Sequence, residues 1–174
     1  MERPRIISRK PLNKYDILIL AAHLLAVLTI WISYKHRLVP PESLKDFISG
    51  YFFILPIVLV GLFFRNLRNI NFYGIWVMIA FFQPLIYPEL HDLSGFQFYR
   101  GSAFTPLRSL LPTLLVYQLF RIIFIKTHNM EMIISIRQFR MSMWEEEEKR
   151  NMTWLEVLFS ITIALTAVLS NVYI

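Results

Sequence analysis

Five long apolar segments, separated by short polar loops, make up most of this 174-residue chain. Each is close to the ~20 residues that a helix needs to cross the ~30 Å hydrocarbon core of a bilayer. Hydrophobic residues form 56% of the chain, and a soluble domain of this size could not bury five such segments. We therefore predict an all-α integral membrane protein, a bundle of about five transmembrane helices in one polytopic domain over 15–174. The expected spans are about 15–34, 47–64, 70–87, 105–125 and 153–173.

The lysines and arginines are distributed unevenly along the chain, and this predicts the orientation. Thirteen of the 18 lie in the tail at 1–14, in the link between spans two and three, or from Arg121 to the start of span five. Cytoplasmic segments carry the excess of basic residues. We expect a multi-pass protein of the cell membrane (an inner or plasma membrane) with a cytoplasmic basic tail and an outside C-terminus. This topology accounts for the net charge of +6, so no nucleic-acid partner is expected.

Two connecting segments are longer than a turn. The outer loop at 88–104 contains four aromatic residues that would be poorly placed in water, which predicts that it folds back onto the membrane surface or a partner. The inner segment at 126–152 mixes apolar and basic residues over 130–144, which favours an amphipathic helix in the interface. The same segment could contact a cytoplasmic partner. The four aromatic residues are Phe96, Phe98, Tyr99 and Phe104.

Prolines recur within the predicted spans. Each removes a backbone donor and tends to kink a helix, and the freed carbonyls must then be satisfied by neighbouring groups. Kinked packing is the simpler interpretation, whereas broken helices that coordinate ions are typical of transporters. No internal repeat supports the second interpretation. The four prolines are Pro56, Pro84, Pro106 and Pro112.

Six polar side chains within the apolar spans are selected as candidates, because such groups are costly there and usually face a partner or a cavity. The topology places Asp16, Arg121 and Glu156 near one interface. We hypothesise that Arg121 pairs with Glu156 and that Asp16 is a second acceptor. In the alternative, Arg121 reaches the headgroups and both acids face the cytoplasm. His23 is either a hydrogen-bonded packing group or a proton relay. The complete set is Asp16, His23, Gln83, Gln118, Arg121 and Glu156.

Familiar catalytic motifs are absent from the sequence, and there are no cysteines to act as nucleophiles or metal ligands. We therefore predict no catalytic, cofactor-binding or metal site. The best candidate cluster is Glu89, His91 and Asp92 on the outer loop, which could bind a metal or act on a lipid headgroup. An ordinary turn after Pro88 is the simpler interpretation.

The combined pattern favours a non-enzymatic accessory or structural subunit of a membrane complex. Its partners would be the lipid bilayer and either further copies of the chain or other membrane subunits. One alternative is an oligomeric channel or transporter component, with Gln83, Gln118 and His23 lining the path. A second alternative is a membrane enzyme that acts on a lipid headgroup, because the sequence leaves enzymatic activity open.

Overall fold

The computed structural model describes residues 9–91, 96–98, 101–134 and 153–172, and these ranges are helical for most of their length. Five α-helices follow one another within these ranges, which confirms the all-α prediction. Two 3₁₀ turns and a two-residue antiparallel strand pair connect them. The elements are α1 (Lys14–His36), α2 (Pro41–Leu62), a 3₁₀ turn (Asn66–Arg68), α3 (Ile70–His91), β1 (Gln97–Phe98), β2 (Gly101–Ser102), a 3₁₀ turn (Thr105–Arg108), α4 (Leu110–His128) and α5 (Trp154–Val172).

Three of the helical stretches are long and apolar enough to cross a membrane. These are α1, α2 and the continuous stretch formed by the second 3₁₀ turn and α4. The apolar parts found in α3 and α5 are shorter, at Ile70–Leu85 and Trp154–Ser170. Three helical stretches of the described chain therefore have the length and apolar composition of membrane-spanning helices.

Local sequence explains where the helices begin and end. The Asn13 side chain caps α1 and Asp16 reciprocates, which satisfies two backbone donors at the helix start. The second helix begins at Pro41, six residues before the expected span, because proline is pre-organised for the first helical position. The last turn of α4 closes at Asn129, whose φ of 52° is a left-handed conformation that asparagine tolerates.

Two of these four prolines lie inside helices, and the other two lie near the start of α4. The helices α2 and α3 continue through Pro56 and Pro84. Pro106 lies in the second 3₁₀ turn and Pro112 in the first turn of α4, where backbone N–H groups have no intrahelical acceptor in any case. The expected kinks at these two positions are therefore wrong, because the prolines mark the start of α4 and do not interrupt it.

The main core is formed by α2, α3, α4 and α5. Trp76, Tyr117, Phe72 and Phe124 are its largest apolar side chains and are fully buried. Phe120 and Phe159 stack between α4 and α5 with their ring centroids 4.3 Å apart. The main packing partner of α1 is α2, so α1 lies at the edge of the bundle.

A second, smaller core forms where the loop after α3 returns to α2. Phe96 and Phe104 are buried there against Leu44, Ile48 and Phe52. The aromatic loop therefore packs on the chain's own helix, and the expectation that it lies on the membrane surface or on a partner is wrong for these two residues. The side chains of Phe98 and Tyr99 lie outside the described residues.

The segment after α4 differs from the predicted amphipathic helix. Residues 130–134 are not helical, and Met132 and Ile134 are buried in the main core. Their side chains reach that core from a segment without regular secondary structure, so the prediction is wrong for this part. The remainder of 126–152, from residue 135 onward, lies outside the described residues.

Leu114 and Leu119 on α4 provide a matched test of this core. Leu114 is completely buried, whereas Leu119 is 55% exposed. We expect Leu114→Ala to lower the free energy of unfolding by about 2 kcal/mol, because it leaves a cavity in a packed core. Leu119→Ala should change it by less than about 0.5 kcal/mol. Unfolding titrations in mixed detergent micelles, followed by circular dichroism, would measure both, and equal losses would contradict the assigned core.

Candidate functional site: a buried arginine–carboxylate network

Four segments meet at one end of the bundle, which we call the polar end. They are the start of α1, the link at 65–69, residues 131–133 and the start of α5. Three of the buried charged residues of the described chain, Asp16, Arg121 and Glu156, are each at most 2% exposed and belong to this end. The hydrogen bonds described below join these four segments to α4.

The central contact is between Arg121 on α4 and Glu131 in the segment that follows it. The Arg121 Nε and Nη2 atoms donate to the two oxygens of the Glu131 carboxylate, at 3.0 and 2.7 Å. This paired geometry matches the planar guanidinium to the planar carboxylate. Arg121 is 1% exposed, so the carboxylate compensates a charge that has been removed from solvent.

Arg68 joins the link at 65–69 to the same segment. Its Nη2 atom donates to the Met132 carbonyl at 2.9 Å, and its Nε atom lies 3.6 Å from the Glu131 carboxylate. The Arg68 guanidinium also lies 5.4 Å from the centre of the Phe64 ring, at a distance typical of cation–π contacts. Glu131 is therefore shared between two arginines from two different parts of the chain.

Glu156 holds residues 131–133 against the start of α5. One carboxylate oxygen accepts from the Ile133 N–H at 2.8 Å. The other accepts from the N–H and hydroxyl of Thr153, at 2.9 and 3.1 Å. The Thr153 hydroxyl in turn accepts from the Glu156 N–H, as in a helix capping box. A carboxylate at the first turn of a helix is also favoured by the helix dipole.

Asp16 lies at the other side of the polar end. It accepts from the Asn13 N–H at 2.9 Å and from the Asn66 side-chain amide. Close by, Asn69 and Asn71 both donate to the backbone carbonyl of Lys10. The end of the basic tail is thereby held against the start of α3.

The structure brings the three predicted charged residues to one end of the bundle but connects them differently from the hypothesis. The described carboxylate partner of Arg121 is Glu131, and Glu156 and Asp16 accept chiefly from backbone amides, a hydroxyl and an asparagine. The expected Arg121–Glu156 pair is not among the contacts between described residues. Segment 131–133 lies between the two side chains and binds both.

Two tyrosines reinforce the network from the core side. The Tyr117 hydroxyl, one helical turn before Arg121, donates to the Phe64 carbonyl at 2.8 Å. The Tyr73 hydroxyl donates to the Leu114 carbonyl at 3.2 Å. Both bonds satisfy carbonyl groups within an apolar region, where an unpaired polar group is costly.

His23 lies deeper in the bundle, two turns along α1 from Asp16. Its Nδ1 atom is 2.7 Å from the Tyr51 hydroxyl on α2, and its ring is 5.0 Å from the ring of Trp76 on α3. The residue is 5% exposed. It therefore connects α1 to side chains of α2 and α3.

Gln83 and Gln118 are placed separately from these clusters. Gln83 is buried on α3 and Gln118 is half-buried on α4. Within the described ranges, the side-chain oxygens of both residues have no hydrogen-bond partner. No contact between described residues connects either glutamine to His23, so these contacts form no continuous polar path.

The loop cluster proposed from the sequence lies largely outside the described residues. Glu89 and His91 belong to the last turns of α3, where only the backbone is described, and Asp92 follows the helix. In the part of the chain that the structure covers, no group of three His, Cys, Asp or Glu side chains is arranged to hold a metal ion.

The network is best described as a structural clamp. Its charges are paired or hydrogen-bonded to groups of the same chain, and it fixes the ends of α1, α4 and α5 and the link before α3. Sequence reasoning missed Arg68, Glu131 and Asn66 because charged and amide residues are ordinary in loops. The signal that could have found them is the unmatched charge of Arg121, which requires a nearby acid.

Comparison with protein-family models, with curated proteins and with solved structures finds no match to this chain.

The Arg121–Glu131 pair can be tested by a double-mutant cycle. We expect Glu131→Gln to lower the free energy of unfolding by about 3 kcal/mol, because it removes the carboxylate that pairs with the buried Arg121 charge. Arg121→Gln should lower it by less, because Glu131 still lies beside Arg68. The double variant should lose clearly less than the sum of the two. Lys126→Gln on the exposed side of α4 serves as the control and should cost less than about 0.5 kcal/mol. These losses would be measured by unfolding titrations in micelles. A double variant that loses the full sum of the two single losses would contradict the pairing.

Proposed function

We propose that the chain is a five-span membrane protein that serves as a non-enzymatic subunit of a membrane complex. Its N-terminus is cytoplasmic, so the polar end faces the cytoplasm and the loop packed on α2 faces the outside. Lipid and the helices of a neighbouring subunit cover its apolar surface.

The lengths of all five helices are compatible with this topology. At 1.5 Å per residue, the 22 residues of α3 extend about 33 Å and the 19 residues of α5 about 28 Å. Both values are close to the ~30 Å thickness of the hydrocarbon core. The weaker apolar signal of these two helices therefore does not argue against their crossing the membrane.

The observation that carries the subunit proposal is the exposure of α1. Only 11% of the residues in its apolar window are buried, compared with 39% for the helical stretch Thr105–His128. Leu18, Leu24, Leu25 and Trp31 are each more than half exposed. Apolar side chains on several sides of one helix require a surrounding apolar phase, and they provide a surface for helices of another subunit.

The clamp at the polar end supports a structural role. It holds the helix ends through buried contacts within the chain, so α1 is presented on a fixed scaffold. A rigid scaffold with an open helical face is suited to assembly, because little ordering is required on binding.

The topology can be mapped with single cysteines, because the natural chain has none. Ser43 and His128 are exposed residues near opposite ends of the bundle. We expect a membrane-impermeant maleimide to label Ser43→Cys in intact cells and His128→Cys only after permeabilisation. The reverse pattern would overturn the orientation, and labelling of both without permeabilisation would contradict the five-span path.

The subunit role predicts that α1 mediates assembly. Affinity purification of the tagged protein from native membranes in mild detergent should recover another membrane polypeptide, or further copies of the chain, at a fixed stoichiometry. Leu25→Trp on α1 should reduce this recovery, because it adds bulk to a helix surface that packs on the partner. Leu119→Trp, an equally apolar change on the exposed side of α4, should leave it unchanged.

Native mass spectrometry of the purified material would measure the stoichiometry. Recovery of a monomer alone in several mild detergents would overturn the subunit role. Equal effects of the two tryptophan variants would show that α1 is not the assembly surface.

A further inference from the structure

A shallow groove of about 490 Å³ runs along the exposed side of α2. Phe47 and Ile54 are its exposed walls, each 53% accessible, and Tyr51 contributes to its floor. The Tyr51 hydroxyl is turned to His23, so the ring presents mainly carbon to the groove. The full lining is Asp46, Phe47, Gly50, Tyr51, Ile54, Leu55 and Val58.

The groove is widened by a missing side chain. Gly50 lies at its centre, and a Cβ atom added at this position would meet nothing within 4 Å. The helix backbone is therefore accessible to a ligand at this point, and the protein's own packing does not require glycine there. Small residues that expose helix backbone in this way allow close approach in membranes.

The length of the groove indicates what kind of molecule fills it. From Asp46 to Val58 the helix rises about 18 Å. One leaflet of the hydrocarbon core is about 15 Å thick, whereas a transmembrane helix requires the full ~30 Å. The groove therefore matches a single acyl chain of one leaflet better than a spanning helix of a second protein.

One end of the groove is acidic. Asp46 closes the lining on the side of the α1–α2 loop, and Glu42 lies one turn earlier on the same side of α2. Both side chains are exposed and form no ion pair with any described residue. Lys45 between them donates to the Gln97 carbonyl at 3.3 Å. The mouth of the groove thus offers carboxylates to a cationic group.

We propose that this groove binds a phospholipid that carries a primary ammonium headgroup. One acyl chain lies along Phe47, Gly50 and Ile54, and the ammonium group donates hydrogen bonds to Asp46 and Glu42. The ligand chemistry is that of a phosphatidylethanolamine in the leaflet on the side of the α1–α2 loop. This inference requires the membrane insertion included in the proposed function but not the presence of a partner subunit.

The test uses photoactivatable lipids in vesicles. The full-length protein is reconstituted into phosphatidylcholine vesicles that contain a trace of phosphatidylethanolamine or phosphatidylglycerol, each with a diazirine in one acyl chain. After illumination, labelling of the peptide at 46–58 is divided by labelling of α5, whose exposed side chains report bulk lipid. We expect this ratio to be roughly two- to fivefold higher for the ethanolamine probe, in the range of an exposed ion pair.

Three variants identify the cause of the preference. Gly50→Leu fills the groove and should lower the ratio for both probes. Gly74→Leu on α3 is the matched control, since a Cβ there also meets nothing within 4 Å, and should leave the ratio unchanged. Asp46→Asn should reduce the difference between the probes, because Glu42 alone then binds the ammonium group, while labelling of the groove is retained.

Equal ratios for the two probes in the natural protein, or no effect of Gly50→Leu, would overturn the proposal. Rapid oxidation of Gly50→Cys to a covalent dimer in membranes would also overturn it, because the groove would then be occupied by a second copy of the chain. Flotation of the protein with the vesicles is measured first. Failure to float contradicts the proposed membrane topology, whereas flotation without a headgroup preference contradicts the lipid site alone.

Discussion

The buried guanidinium of Arg121 is the constraint on which the polar end of the bundle depends. A charge that is 1% exposed cannot remain without an acid nearby, and Glu131 supplies that acid through two parallel hydrogen bonds. Glu131 lies in a segment after α4 that has no regular secondary structure. The backbone groups of this segment also need partners, and Arg68 and Glu156 bind two of them. The position of one charge thus explains why a loop, a link and a helix start meet at the same place.

The two ends of the molecule are stabilised by different kinds of contact. At the polar end, hydrogen bonds and ion pairs hold the elements together, and these are most effective where solvent is excluded. At the opposite end, Phe96 and Phe104 from the loop after α3 pack on Leu44, Ile48 and Phe52 of α2. The helices between them rely on close packing, as in the Phe120–Phe159 stack. Packing of this kind remains favourable in lipid, where burial of apolar surface contributes little to helix association.

Much of the fold could be predicted from the sequence, because long apolar segments have few structural solutions. The five helices were expected, with boundaries that differ most at α2, where Pro41 starts the helix before the apolar residues begin. Asp16, Arg121 and Glu156 could be identified because a charge within an apolar run is conspicuous. Their partners could not, because Asn66, Arg68 and Glu131 lie in polar loops, where composition carries no such signal. The identity of the Arg121 partner depends on the path of residues 131–134, which is set by the burial of Met132 and Ile134 in the core.

The separation of Arg121 and Glu131 along the chain has a consequence for biosynthesis. The two positions are only ten residues apart, so at ~5–20 residues per second the acid is synthesised within about two seconds of the base. The charge in the fourth helix can therefore be neutralised locally while the chain is still attached to the ribosome. Asp16, by contrast, is synthesised fifty residues before Asn66. Its capping bonds to Asn13 lie within one short stretch of chain, so they can form before the rest of the bundle is synthesised.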